Sequence, residues 1–332
     1  MTALRRVPIS VLDLALKPAG GTHSDAVHGT VALAAAAERL GYERFWVAEH
    51  HGMRAIASSS PPVLIAAIAA RTERIRVGSG GVMLPNHAPL VVAEQFGTLR
   101  ALYGDRIDLG IGRAPGSDQQ TSRALRRDRF GADAFPSELM ELISYFDDTA
   151  PVPAVPGAGD RPQVWLLGSS GYSAQAAGQL GLPFAFAHHF SSENTEAALG
   201  MYRSNFRASE YLDSPYAAIA VQVVSDEDVE VVRSQTLPGL LRFIKQRQGQ
   251  NPEPLSIEEA LAHELTQFEE LFIEERLQRQ AVGTAEQVRA AIAELLDSTA
   301  ADELIVVPAA AELRYRERTL EIVRELMDAA EH

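Results

Sequence analysis

The sequence predicts an α/β protein built as a (β/α)8 TIM barrel with insertions. Three observations carry that prediction. Eight strand-like segments alternate with helix-like segments from one end of the chain to the other. The stretch Arg106-Ile-Asp-Leu-Gly-Ile-Gly-Arg113-Ala-Pro-Gly116 reads as a short apolar strand ending in two glycines and an arginine, and α/β folds bind their ligands at such strand ends. The first βα turn, Leu14 to Ser24, holds Gly20-Gly21 but no G-x-G-x-x-G, which counts against a dinucleotide-binding domain there. An open, Rossmann-type sheet stays as the alternative.

In order, Val7–Leu14 is the first β-rich run. Ala-rich His28–Leu40 is a helix closed by Gly41, where a left-handed residue is wanted. Arg44–Val47 is the second strand, and Ser60-Pro61-Pro62 opens a helix to Arg71 with Ser60 as cap. Ile75–Gly78 is the third strand, Val91–Tyr103 its helix, Ile107–Ile111 the fourth strand and Ser137–Phe146 a helix. Pro151-Val-Pro-Ala-Val-Pro-Gly-Ala-Gly159 reads as a linker or surface loop. It lies between units of one alternating type, which argues against a domain boundary. Gln163–Leu167, Ser170–Leu180 closed by Gly181, Pro183–Phe186 and Ser192–Phe206 continue the alternation. Ala217–Val224 is the seventh strand, followed by a helix from about Asp226. Thr284-Ala-Glu-Gln287 resembles a capping box opening a helix to Leu296, Glu303–Val307 is the eighth strand, and Leu313–Met327 is a final amphipathic helix. The chain is read as a single barrel domain over residues 1–332, with a charged helical insertion at roughly residues 238–280.

Composition narrows the function classes. The 332 residues are 46% hydrophobic, enough for a sizeable core. The absence of cysteine excludes thiol catalysis, zinc–thiolate sites and disulfides. Met1 to Pro8 has no apolar signal-like core, and no apolar run approaches the roughly 18 residues of a membrane span, so a soluble, cytoplasmic protein is expected. A net charge of −14 with interleaved Arg and Glu argues against a nucleic-acid partner, and Arg123-Ala-Leu-Arg-Arg127-Asp-Arg129 reads as a solvated face.

The strand ends carry the candidate chemistry. Ala48-Glu49-His50-His51-Gly52 follows the second strand and offers acid/base groups or metal ligands. Later strand ends carry glycine and serine instead of more ligands, so no metal is expected. After the third strand, Gly78-Ser79-Gly80-Gly81 precedes apolar Val82-Met83-Leu84, which speaks for close ligand approach rather than an exposed turn. Gly168-Ser169-Ser170-Gly171-Tyr172-Ser173 leads into a helix whose N-terminus suits an anion, and no G-K-[ST] follows, which argues against a nucleotide triphosphatase. Combined with Arg113 from the neighbouring strand, this favours a phosphate pocket.

Together these segments resemble the bacterial luciferase-like flavin monooxygenase family. The motifs are Phe45-Trp-Val-Ala-Glu-His-His51, Gly78-Ser-Gly-Gly-Val-Met-Leu-Pro-Asn-His87, Arg106 to Gly116 and Gly168–Ser173, with Val282–Val288 and Ala301–Val307 near the C-terminus. The resemblance implies a (β/α)8 barrel that takes reduced FMN from a separate flavin reductase, activates O2 at flavin C4a and oxidises a small organic substrate. By position it implies that Arg113, Ser170 and Ser173 hold the flavin phosphate with Ser169 and Tyr172 close by. It likewise puts Gly80–Gly81 at the family's cis peptide beneath the ring system, and makes His50 the catalytic histidine with Glu49 and His51 beside it. Luciferase proper carries a reactive cysteine where this chain has Gly112, so light emission from an aldehyde is not expected. A homodimer is implied as well. The alternatives are hydride transfer with the deazaflavin F420, and a non-catalytic flavin-binding protein. Ser117–Phe135 and residues 238–279 would set substrate choice, with His188-His189-Phe190 as further candidates for substrate contact.

Overall fold

The computed structural model describes residues 3–114, 119–126 and 131–330. Pro115 and Gly116 of the arginine motif, and Arg127 and Arg129 of the basic run, lie outside the described residues, as do parts of Ser117–Phe135. The elements are β1 (Ile9–Asp13), α1 (His23–Arg39), β2 (Arg44–Val47), α2 (Pro61–Ala69), β3 (Arg76–Met83), α3 (Pro89–Tyr103), β4 (Ile107–Gly112), α4 (Gln119–Ala124), α5 (Phe135–Phe146), β5 (Gln163–Gly168) and α6 (Gly171–Leu180). They continue with β6 (Phe184–Phe186), α7 (Thr195–Asn205), β7 (Ala217–Ser225), α8 (Val229–Arg247), α9 (Ile257–Leu261), α10 (Gln267–Leu277), β8 (Ala281–Gly283), α11 (Ala285–Thr299), β9 (Glu303–Pro308) and α12 (Leu313–Asp328).

Strands β1 to β7 pair in chain order, β7 pairs with β9, and β9 returns to β1, all in parallel. These eight strands close a barrel, as the alternation predicts. Strand β8 pairs only with the last three residues of β7, Val223 to Ser225, and lies outside the ring. Side chains alternate across each strand. Val11, Phe45, Val47, Leu109, Val164, Leu166, Ile219 and Val306 point outward into the layer shared with the helices. Leu12, Trp46, Trp165, Ala218 and Ile305 point inward, where Trp46 and Trp165 meet edge to face at 5.1 Å. The neighbouring position on β3 is small to fit them: a Cβ on Gly80 would lie 3.2 Å from Trp46 Cε3 and 2.6 Å from Leu12 Cδ1.

The N-terminal end of the barrel is closed by a buried charged layer. Arg44 Nη1 donates to Asp108 Oδ2 at 2.9 Å and Arg44 Nε to Glu303 Oε1 at 3.1 Å, with both carboxylates fully buried. Arg76 and Trp46 donate further hydrogen bonds to Asp108, and Ser10 and Tyr216 donate to Glu303. Ser10, Arg44, Asp108 and Glu303 are the first inward positions of their strands, one layer below the indoles.

Several element ends differ from expectation. Helix α1 starts five residues earlier, because Thr22 and Asp25 form a reciprocal capping box. Ser60 occupies the cap position of α2 but makes no side-chain cap bond; the two prolines define that start. The Gly78–Gly81 run lies inside β3 rather than after it, with a register shift between Gly80 and Val82. Pro151–Gly159 is packed against α3: Gly97 faces Gly157, and a Cβ on Gly157 would lie 3.0 Å from Gly97 Cα. Helix α8 runs unbroken through Pro238 to Arg247, so the proline marks no new element. Gly181 ends α6 at φ +64, as predicted, and Thr284 and Gln287 form the predicted box at α11.

The segment after α8 lies over the C-terminal end of the barrel. Asn251 Nδ2 donates to Gly52 O at 2.6 Å, Glu253 accepts from Lys17 and Arg54, and Arg276 Nη2 donates to His189 O at 3.0 Å. Loops after β1, β2 and β6 are thereby tied to one roof.

Candidate active site

A cavity of about 290 Å³ opens at the C-terminal end of the barrel. Interior residues Leu12, Trp46, Ala220 and Ile305 line it together with His50, Gly80, Gly81, Arg113, Ser169, Ser170 and Ser173. Seven of the ten residues singled out from the sequence therefore converge, from the ends of β2, β3, β4 and β5. Tyr172 does not line the cavity. It is 39% exposed and carries the Arg113 guanidinium on its ring at 4.2 Å. The contact sets Arg113 against the first turn of α6.

That helix end is built for an anion. Ser170 is its N-cap, yet its side chain makes no cap bond, and the first turn holds no acidic residue. The first-turn N–H groups therefore lack a capping side chain and retain their partial positive charge. Ser169, Ser170, Ser173 and Arg113 surround that end, where an anion would complete it. Across the cavity the Gly80–Gly81 peptide is cis, and a Cβ on Gly81 would lie 2.7 Å from Gly110 O, so no side chain fits there. The apolar interior residues and this bare backbone suit the face of a planar ring system. A Cβ on Gly112 would lie 2.7 Å from Met83 Sδ, close packing that excludes a cysteine without a shift.

Strand parity separates the three acid/base candidates. The inward series Arg44, Trp46 and Ala48 continues to His50, which lines the cavity. Glu49 and His51 fall on the other parity. The fully buried Glu49 carboxylate accepts from His51 Nε2 at 2.8 Å, His87 Nε2 at 2.9 Å, Asn86 Nδ2 at 3.2 Å and Met83 N at 3.0 Å. Burial pushes its pKa up, but the His87, His51 and Met83 donors outweigh burial and hold it below the ordinary carboxylate value. The ligand atoms of Glu49, His51 and His87 lie within 4.8 Å of one another, a separation that one cation could bridge. The carboxylate's acceptor positions are already met by N–H donors, so the group reads as a hydrogen-bonded brace between β2 and β3. The pairings of Glu49 with His87, Asn86 and Met83 had no signal in the sequence, because they join positions set side by side only by the register of β2 on β3.

His188-His189-Phe190 also divides. His188 turns away from the cavity, bonding Thr195 Oγ1 at 2.7 Å and Arg279 O at 2.8 Å. His189 and Phe190 line it. His189 Nδ1 donates to Ala220 O at 3.1 Å, which leaves Nε2 as an acceptor. Burial, with lesser contributions from Arg276, His188 and His50, lowers its pKa to about 4. The neutral form is the folded form, so the unfolded chain takes up a proton below about pH 6.5 while the folded one resists until about pH 4. Stability is thus lost as pH falls through that window. His189→Asn, which keeps the donor to Ala220, is expected to remove on the order of 2–3 kcal/mol of this loss. Urea unfolding of both proteins at pH 7 and pH 4 checks it; parallel losses would refute it.

Among the described residues no helix is long and apolar enough to cross a membrane. The family model described as luciferase-like monooxygenase matches residues 8–303. A protein of Escherichia coli K12 named luciferase-like monooxygenase is 45% identical over 313 residues, covering 91% of each chain. The crystal structure of apo-MsnO8 superposes with a TM-score of 0.86 at 35% identity, covering 98% of this chain and 100% of that one. The oxygenating constituent of 3,6-diketocamphane monooxygenase from Pseudomonas putida, solved with FMN, shares the fold at a TM-score of 0.73 and 18% identity, covering 98% and 99%.

Proposed function

The chain belongs to the luciferase-like monooxygenase family, and from that premise we propose that it uses reduced FMN, delivered by a separate flavin reductase, to oxidise a small organic substrate. The observation that carries the FMN assignment is Arg113, stacked on Tyr172 beside the N-terminus of α6 and three serines, at one side of a cavity whose interior wall is apolar side chains and bare backbone. Bound reduced FMN supplies two electrons and the C4a position at which O2 reacts. The protein's part is to hold and to shield. Arg113 and the Ser169–Ser173 turn bind the phosphate, Gly80 and Gly81 let the ring lie against backbone, and the roof after α8 excludes water. His50 moves a proton at the reacting centre, and His189 Nε2 offers a neutral acceptor facing it. A homodimer is proposed on the family likeness; sedimentation as a monomer at working concentration would refute it.

Anaerobic titration with reduced FMN, oxidised FMN and F420 tests the cofactor. Binding of reduced FMN with substrate-dependent oxygen uptake supports the reading. Binding of F420 alone replaces it with hydride transfer, binding of FMN without any turnover reduces it to flavin binding, and binding of neither overturns it. Arg113→Ala is expected to weaken FMN binding by about 1.5–3 kcal/mol, the scale of hydrogen bonds to a charged group. Unchanged affinity in the same titration would remove the phosphate assignment.

A further inference from the structure

A second cavity, of about 380 Å³, adjoins the first and shares His189 and Phe190 with it. Arg247, Arg276 and Arg279 line it, together with Glu193 and Glu275. Both acids are committed to one arginine: Arg279 Nη1 lies 3.6 Å from Glu193 and Arg279 Nη2 3.3 Å from Glu275. Arg276 and Arg247 instead stack on the same ring, with guanidinium carbons 4.1 Å and 5.7 Å from the Phe243 centroid. Among the described residues neither pairs with a carboxylate; Arg276 spends one N–H on His189 O and keeps the rest of its fork. Helix α8, which carries Arg247, also carries Arg242, whose Nη1 is sealed from solvent with no partner. A chain of net charge −14 has thus left Arg247 and Arg276 without a carboxylate at one edge of the barrel mouth. Holding two like charges against one aromatic ring is unfavourable unless an anion joins them.

We infer that Arg247 and Arg276 bind a carboxylate on the substrate, placing its reacting end in the main cavity beyond His189 and Phe190; the inference rests on the monooxygenase reading above. Burial first, and Arg247's charge second, depress the Arg276 pKa, a cost that a bound anion relieves. The phosphate candidates Arg113 and Ser169–Ser173 come from β4, β5 and α6, and none of them lines this second cavity. Cofactor and substrate anions thereby have separate holders.

The test is calorimetric titration, in the presence of FMN, with straight-chain alkanoates from butanoate to decanoate against the corresponding primary alcohols. At least one alkanoate is expected to bind about ten- to a hundredfold more tightly than its alcohol, the range for a charge-assisted contact. Arg247→Ala and Arg276→Gln should each remove most of that preference, and because Arg247 is exposed, its variant keeps the test independent of folding. No preference in the parent protein, or a preference surviving both substitutions, overturns the inference. FMN affinity measured on the same variants separates the two readings: it should be unchanged. A loss would assign the arginines to the cofactor's anion and overturn the inference, whereas a parent that binds alkanoates selectively but no flavin would overturn only the FMN assignment.

Discussion

His50→Ala is expected to leave FMN affinity nearly intact while lowering turnover by about 10²–10⁴-fold, the usual contribution of a general acid or base. The expectation follows from parity. His50 continues the inward series of β2 and lines the cavity, whereas its two neighbours are held in the Glu49 brace on the other side of the strand end. Added imidazole should restore part of the rate to the alanine variant if His50 carries the proton, since its removal leaves a vacated volume in the cavity. His51→Ala and His87→Ala give the contrast. Each removes one donor from a buried carboxylate and should cost about 1–3 kcal/mol of stability. Any loss of activity there should follow the loss of folded protein. Stopped-flow turnover beside equilibrium flavin titration separates the cases: equal losses of binding and rate in His50→Ala would make it a structural residue.

The difference between those histidines shows where sequence reading succeeds and where it stops. Glu49, His50 and His51 are conspicuous as a cluster, and a strand followed by a loop places all three at the barrel mouth. Which one faces the ligand depends on the phase of β2, which Trp46 fixes by facing Trp165 inside the barrel. The bounds of β2 were legible because Gly41 stops α1 immediately before it. The serine–glycine turn into α6 was legible because its signal is local: serines, glycines and a helix start within six residues. The glycine run was misplaced for a physical reason. Glycine normally weakens a strand, but here a Cβ on Gly80 would press on Leu12 and Trp46, and one on Gly78 would press on Asp108 of the neighbouring strand. The Glu49 brace, the roof contacts of Asn251 and Glu253, and the arginine pair on Phe243 were not legible, since each joins residues brought together only by closure of the barrel.

The opposite end of the barrel yields the largest expected loss of stability. Arg44→Met should cost about 3–5 kcal/mol, because it strands two fully buried carboxylates, Asp108 and Glu303, that share one guanidinium. Methionine keeps much of the arginine stem's volume, so the loss reports charge rather than a cavity. Asp108 retains Arg76 and Trp46 Nε1 as donors, while Glu303 is left with the hydroxyls of Ser10 and Tyr216. Glu303 should therefore carry the larger share. In a Glu303→Gln background, where the stranded group is neutral and can still accept from those hydroxyls, the cost of Arg44→Met should shrink by at least about 1 kcal/mol. Urea unfolding of the four proteins in this cycle measures the coupling, and additive losses would show that the pair contributes nothing beyond packing. The buried charge at this end has no catalytic purpose in a fold whose chemistry lies at the C-terminal ends of its strands. Flavin affinity and turnover per folded molecule should accordingly stay at parental values in all four proteins. The two ends of each strand then do separable work: β2 begins with Arg44, which holds the barrel shut, and its inward series ends with His50, which lines the cavity.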